Sequence, residues 1–123
     1  MLHRSHRLPL KNYWITIKNK GIMFSGPLFG LIVAKRDALE KEGRGGKEAV
    51  FGFIVSTKVS KQATARNRAR RLLREAARSF LPNMSSGMAV VVLAKQALLG
   101  KDLPTVKTEM ERLLKKAGIL TGF

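Results

Sequence analysis

Hydrophobic residues along this chain recur at two different spacings, and the spacing changes from one segment to the next. Between residues 10 and 20 the apolar positions repeat at i, i+3, i+4 and i+7, namely Leu10, Tyr13, Trp14 and Ile17. That period places them on one side of an amphipathic helix. Gly21, directly after the repeat, suits the position that ends a helix. The pattern therefore predicts a first helix over residues 10–20.

The next segments alternate between bulky and small side chains, which is typical of strands. Residues 28–34 and 49–57 each direct bulky residues to one side: Phe29, Leu31 and Val33, then Phe51, Phe53 and Val55. Their other sides carry Gly30, Ile32 and Ala34, then Gly52, Ile54 and Ser56. Residues 88–94 form a continuous apolar run, typical of a buried strand. A short edge strand at residues 22–25 completes the predicted sheet.

Helical spacing returns at residues 65–80 and again from Leu103 to Ala117. Asp102 is a suitable N-cap for the last helix, and Gly118 a suitable stop. The predicted order is α-β-β-(β)-α-β-α, in an α/β (α+β) two-layer sandwich with helices on one face of a small mixed sheet. The opposite face is expected to remain an open, shallow trough.

The 123 residues suffice for one domain, residues 1–123, with its core at about 7–117. We expect a mobile glycine-rich loop at 36–48 and frayed ends at 1–6 and 119–123.

The segment from residue 58 to residue 78 carries the strongest functional signal. It contains eight Lys or Arg residues and one acid, Glu75. On a helical wheel of residues 65–80 the apolar side chains fall within one arc and the arginines lie outside it. A solvated helix face normally mixes charges of both signs. This face carries almost no acids, and the planar guanidinium group suits phosphates and base edges. It predicts a rigid surface for a folded nucleic acid.

Overall charge supports the same class of partner. The chain has 24 basic and 8 acidic residues, so its formal charge is 24 − 8 = +16. Such self-repulsion is tolerable when a polyanion neutralises it, which points to nucleic acid first and an anionic membrane surface second. No apolar run reaches the ~18 residues of a spanning helix, and the first residues lack the apolar core of a secretory signal. The absence of cysteine excludes disulfides and thiol catalysis and fits a cytoplasmic location.

Candidate catalytic groups are scarce. Four of the eight acids fall in the expected 36–48 loop, Asp102 is explained as a cap, and Glu75 is expected to form a local ion pair. Glu109 and Glu111 are two residues apart and cannot share a helix face. His3 and His6 lie in the expected frayed start, and no phosphate-binding, nucleophile-elbow or zinc-protease motif appears. The sequence therefore predicts a protein with no catalytic or metal-binding residues of its own.

The run from Arg66 to Glu75, which reads RNRARRLLRE, closely resembles the RNR signature of the bacterial ribonuclease P protein subunit. Residues 55–59 resemble the strand end and basic turn that precede this signature. Arg7-Leu8, Trp14 and Gly21 resemble the family's opening helix. The resemblance covers roughly residues 4–117.

The resemblance implies a fold and a division of labour. The family fold is an α/β sandwich with a left-handed β-α-β crossover, similar to the second domain of a ribosomal small-subunit protein. The partners would be the catalytic RNA of ribonuclease P and precursor tRNA, with no membrane and no obligate protein partner. The RNA, with bound Mg²⁺, would cut the 5′ leader from precursor tRNA, and the protein would help to bind substrate and metal without breaking the bond itself.

The resemblance also assigns residues to two surfaces. The RNA-binding set is Lys58, Lys61, Arg66, Asn67, Arg68, Arg70, Arg71 and Arg74. The cleft for the single-stranded leader would contain Trp14, Lys18, Ile32, Gly52, Ile54 and Ser56. Lys18 and Ile32 replace aromatic residues common in the family, so base stacking would rest mainly on Trp14. The alternative for Trp14 is a core position in the first helix.

Two alternatives remain open from the sequence. One is a ribosomal or general RNA-binding protein of similar fold. The other is a DNA-binding helix-turn-helix module, which the intervening strands disfavour because that motif needs two adjacent helices.

Overall fold

The computed structural model describes Arg7, residues 10–36 and residues 49–120, with the backbone alone at 10–14. The elements in chain order are α1 (Leu10–Lys20), β1 (Ile22–Ser25), β2 (Phe29–Lys35), β3 (Val50–Ile54), α2 (Ala63–Phe80), β4 (Met88–Ala94) and α3 (Leu103–Lys116). Single 3₁₀ turns at Leu81–Asn83 and Gln96–Leu98 follow α2 and β4. The predicted order, including the extra edge strand, is confirmed. Residues 37–48 of the predicted 36–48 loop, the predicted frayed start at 1–6 and residues 121–123 lie outside the described residues. Arg36 itself is buried, and its amide donates to the carbonyl of Gly87 at 2.8 Å.

The four strands form one mixed sheet in the order β1-β2-β4-β3. β1 pairs antiparallel with β2, and β2 antiparallel with β4, while β3 runs parallel to β4. Because β3 and β4 are parallel neighbours, α2 is the crossover that joins them. The β-α-β unit that the family resemblance implied is therefore present. Its left hand and its likeness to a ribosomal domain stay predictions.

Strand register decides which side chains share a face. Leu31, Val92 and Phe53 lie in one row across β2, β4 and β3. This face packs under α2 and α3, whose fully buried residues include Leu73, Ala76, Met110 and Leu113. The bulky face of the sheet is thus the floor of the main core, as the alternation predicted. α2 is held there by its apolar arc, which leaves its arginines on the outside.

The opposite face is not left open, and here the prediction was wrong. Ile17 of α1 is fully buried in a second apolar cluster with Ile32, Val50, Ala89 and Val91. α1 therefore packs on the face that was expected to be a trough. Gly21 allows this close approach, since a Cβ there would collide with the side chain of Ile32 and lie 2.6 Å from the carbonyl oxygen of Ile17. Helices thus cover parts of both faces.

Two chain segments end differently from the prediction. β3 stops at Ile54 rather than at residue 57, because the chain turns at residues 57–59 and the amide of Val59 donates to the carbonyl of Ser56 at 3.0 Å. At the C-terminal end, Ile119 is 4% exposed and its carbonyl accepts from the amide of Ser85 at 2.8 Å. Leu120 forms a β-bridge with Met84. The chain is therefore packed, not frayed, at residues 119 and 120.

Candidate RNA-binding surface

α2 carries its cations over more than half of its circumference. At 100° per residue its buried positions centre on Ala69, Leu73, Ala76 and Phe80. The polar positions then fall into three strips. We call Arg66 and Arg70 the β3 border, Arg68 and Glu75 the α3 border, and the strip between them the crown. The crown consists of Asn67, Arg71, Arg74 and Arg78.

The β3 border has a structural role that the sequence did not reveal. Nη1 of Arg66 donates to the backbone carbonyl of Ser60 at 2.9 Å. Nη2 of Arg70 donates to the carbonyl of Val55 at 3.3 Å, and its Nη1 donates to Oδ1 of Asn67 at 3.0 Å. These two guanidinium groups therefore hold the β3–α2 connection, which leaves them fewer donors for a nucleic acid.

The basic turn between β3 and α2 is also held by Gln96, in addition to Arg66 and Arg70. Nε2 of Gln96 donates to the carbonyl of Lys58 at 3.1 Å, and Val59 is buried in the core. Lys58 and Lys61 themselves are exposed. Side-chain hydrogen bonds to three carbonyls, those of Val55, Lys58 and Ser60, thus fix the geometry of the turn, and both lysines lie on its outer surface. Gln96 was missed in the sequence, since it lies 38 positions from Lys58 and belongs to no motif.

The crown is the most exposed strip of the helix. Asn67, Arg71 and Arg78 are exposed, and Arg74 is half-buried. Glu75 makes the local ion pair that was expected, with Arg78 at 3.0 Å. Arg71 and Arg74 make no hydrogen bond or ion pair among the described residues. They are therefore available to an anionic partner.

The N-terminal end of α2 adds to the positive potential. Gln62 stands at the N-cap without a capping side-chain bond, and the first turn contains no acid. The positive end of the helix dipole lies here, close in the chain to Lys61. An RNA phosphate near this end would meet both the backbone dipole and the lysine.

The residues assigned to the leader cleft share the opposite face of the sheet. Ile32 and Gly52 are both paired with Val91, and Ile54 is paired with Leu93. Ile32 is only 6% exposed and Gly52 is buried, whereas Ile54 is half-buried and Ser56 exposed. The accessible part of this face therefore lies toward Ile54 and Ser56.

Two more residues of the predicted cleft lie on α1. Lys18 is exposed beside the buried Ile17. Trp14 lies on α1 one turn earlier, but its side chain is outside the described part of the structure. α1 therefore brings Lys18 to the face of the sheet that carries Ile32, as the predicted leader cleft requires.

A cation at the β1 edge of the sheet was not predicted. Lys95 follows β4, and its Nζ donates to Oγ of Ser25 at 2.8 Å and to the carbonyl of Gly26 at 2.6 Å. Ser25 and Ile54 lie in the same row of the sheet, through Gly30 and Leu93. The ammonium group of Lys95 therefore lies at the β1 end of this row, three strands away from Ile54. Extending the strand alternation by one residue, to Lys95, could have indicated this cation, because residues 93 and 95 then share a side.

Acidic side chains of the described segments are engaged in structural contacts. Glu109 pairs with Arg112, and Glu111 with Lys115. Asp102 caps α3 by accepting from the amide of Thr105 at 3.1 Å. Hydrogen bonding to the side chain of Thr105, followed by this bond to its amide, lowers the pKa of Asp102. Within the described ranges no group of three or more His, Asp or Glu residues could hold a metal ion. None of the described helices is long and apolar enough to cross a membrane.

Comparison with known protein families agrees with this geometry. The family model described as Ribonuclease P matches residues 2–118. A ribonuclease P protein component from a Synechococcus strain is 34% identical over 122 residues, spanning 99% of this chain and 89% of the relative. One from Symbiobacterium thermophilum is 38% identical over 93 residues, spanning 74% of this chain and 80% of the relative.

Solved structures share the fold as well. The RNase P protein of Thermotoga maritima superimposes with a TM-score of 0.75 at 25% identity, covering 89% of this chain and 96% of that one. The RNase P protein of Staphylococcus aureus gives a TM-score of 0.78 at 20% identity, covering 96% of this chain and all of that one. The mixed sheet with its three described helices is therefore the arrangement found in those proteins.

Proposed function

The chain belongs to the ribonuclease P protein family and is a subunit of the endoribonuclease that matures the 5′ ends of tRNA, and from this premise we propose how its surfaces act. The crown of α2 and the basic turn bind the catalytic RNA. The opposite face of the sheet, near α1, binds the single-stranded leader of precursor tRNA. The RNA performs the cleavage, and the holoenzyme works in the cytoplasm.

Binding of the catalytic RNA is supported by the exposed crown, which is poor in acids, on a helix whose opposite side is buried in the core. Arg71 and Arg74 project from a rigid support, so little side-chain and backbone order has to be created on binding. Guanidinium forks bind phosphates in a bidentate manner. A stiff array of this kind suits an RNA whose phosphates also occupy fixed positions.

Support for the leader cleft comes from the location of its residues. Ile54 and Ser56 are accessible on the face opposite α2, and Lys18 supplies a cation near that face. Single-stranded nucleic acid is bound by apolar or aromatic platforms combined with basic groups that follow the backbone. The two RNAs would thus contact opposite sides of one sheet, so a single protein could hold substrate against ribozyme.

Mg²⁺ belongs to this scheme as a cofactor of the RNA. Carboxylates, the usual protein ligands of Mg²⁺, are paired or capping in the described segments, as shown above. The protein would therefore act on the metal requirement indirectly, because its cations replace part of the screening that Mg²⁺ gives to closely packed phosphates.

Reconstitution tests the proposal. A bacterial ribonuclease P RNA is assayed with precursor tRNA at low Mg²⁺, with and without this protein. We expect cleavage to be restored by the protein, and we expect the protein alone to leave the precursor intact. Cleavage by the protein alone, or no stimulation of the RNA at any protein concentration, would contradict the proposal.

A further inference from the structure

A groove runs along the α3 border of α2, beside the crown, with which it shares Arg71. It has a volume of about 820 Å³, within the range of ligand-binding pockets. Arg68, Arg71 and Leu72 of α2 form one wall. The segment from Leu98 to Lys101, between β4 and α3, forms the other.

The second wall is fixed by its own hydrogen bonds. The amide of Leu99 donates to the carbonyl of Gln96 at 3.0 Å, and the amide of Lys101 donates to the carbonyl of Leu98 at 3.1 Å. Gly100 takes a positive φ of 80°, which a glycine adopts without strain. Leu98 is fully buried, whereas Leu99 is 37% exposed. The turn thus presents one leucine to solvent on a rigid backbone.

Charge on the groove is strongly positive. Arg68, Arg71 and Lys101 all line it and all are exposed. The single acid among its lining residues is Glu75, whose carboxylate pairs with Arg78. Apolar surface from Leu72 and Leu99 lies between these cations. Apolar surface on both walls, flanked by cations, matches a nucleotide, which has an apolar base face and an anionic phosphate on each side.

We propose that this groove receives one unpaired nucleotide of the catalytic RNA, with its base against Leu72 and Leu99. Lys101 binds a flanking phosphate from one wall, and Arg68 and Arg71 bind from the other. The inference rests on the function proposed above, since it assumes that α2 faces the catalytic RNA. The leader of the precursor is the less suitable occupant, because its proposed cleft lies across the sheet from α2.

Affinity measurements on matched variants test the groove. Lys101→Ala is compared with Lys116→Ala, which removes the same charge from an exposed position at the far end of α3. Leu99→Ser is compared with Ile22→Ser, at an exposed apolar residue of the edge strand β1. We expect Lys101→Ala to weaken binding to the catalytic RNA by roughly threefold to tenfold and to flatten the log–log salt dependence by about 0.7. Leu99→Ser is expected to weaken binding with the salt dependence unchanged.

Both control variants are expected to bind like the wild type. Equal affinities for groove and control variants, with wild-type protein still restoring cleavage, would overturn the groove while leaving the proposed function intact. A wild-type protein that does not stimulate the RNA would overturn both. Thermal unfolding of each variant shows whether an affinity loss comes from a loss of fold, and a groove variant that melts like the wild type but binds weakly supports the proposal.

Direct mapping identifies the occupant. The chain has no cysteine, so Leu99→Cys provides a single thiol to which a hydroxyl-radical source can be attached. Strand cleavage at an unpaired nucleotide of the catalytic RNA in the assembled holoenzyme is the expected result. Cleavage confined to the precursor leader, or confined to paired segments of either RNA, would overturn the assignment.

Discussion

Three substitutions within α2 separate the anchoring of the helix from its charge. Leu73→Ala removes a fully buried side chain of the main core. Arg66→Ala removes the hydrogen bond to the carbonyl of Ser60 on the β3 border. Arg71→Ala removes an exposed crown guanidinium that makes no hydrogen bond within the described ranges. The structure therefore predicts three different combinations of lost stability and lost binding.

The magnitudes follow from burial and contacts. Truncating a buried Leu to Ala costs about 2–5 kcal/mol of unfolding free energy, a large share of the ~5–15 kcal/mol that stabilises a typical domain. Losing the Arg66 hydrogen bond costs about 1 kcal/mol. An exposed side chain without contacts changes stability by about 0.5 kcal/mol or less. Arg71→Ala should instead flatten the log–log salt dependence of RNA binding by roughly 0.7–0.9.

Urea denaturation and filter binding at several salt concentrations measure both quantities on the same preparations. We expect stability to fall in the order Arg71→Ala, Arg66→Ala, Leu73→Ala, from least to most affected. We expect Arg71→Ala alone of the three to combine wild-type stability with a reduced salt slope. An Arg71→Ala protein that unfolds as readily as Leu73→Ala, or that binds with an unchanged salt slope, would refute this division of the helix.

Three further predictions concern other parts of the chain. Asp102 has a lowered pKa in the folded state because it accepts hydrogen bonds from Thr105. Its contribution to stability is therefore fully present above its unfolded pKa of about 4 and is lost as pH falls through the folded pKa. Asp102→Asn, which keeps a capping oxygen, should make the unfolding free energy less dependent on pH in that acidic range. Gly21→Ala should lower the unfolding free energy by roughly 1–3 kcal/mol, and with it the urea midpoint, since its Cβ would press α1 away from Ile32; an unchanged midpoint would show that α1 is not seated there. Trp14→Ala should raise the KM for leader-containing precursor more than the Kd for mature tRNA, and equal effects would place Trp14 in the core.

Local periodicity predicted most of the elements. Helix spacing gave Leu10–Lys20 and placed Asp102 at the N-cap of α3, and both match the structure. Strand alternation identified the face on which α2 and α3 pack. These features depend on neighbours within a few residues, so the sequence reveals them directly.

Features that depend on distant contacts were missed. α1 covers the second face of the sheet because Ile17 reaches Ile32, and nothing near either residue in the chain signals that pairing. The carbonyls that hold Arg66 and Arg70 lie beyond the helix that carries them. Helical spacing grouped these two arginines with those of the crown. The tertiary structure separates them, because both donate to backbone carbonyls of the β3–α2 connection.

The central claim is that the arginines of the crown bind an RNA that performs the chemistry. Single-turnover cleavage of precursor tRNA by the catalytic RNA, titrated with wild-type protein and with Arg71→Ala/Arg74→Ala, tests it most directly. We predict that the variant requires a higher protein concentration but reaches the wild-type rate once the RNA is saturated. A saturating rate that stays far below that of the wild type, with the RNA fully bound, would contradict a binding role for these residues.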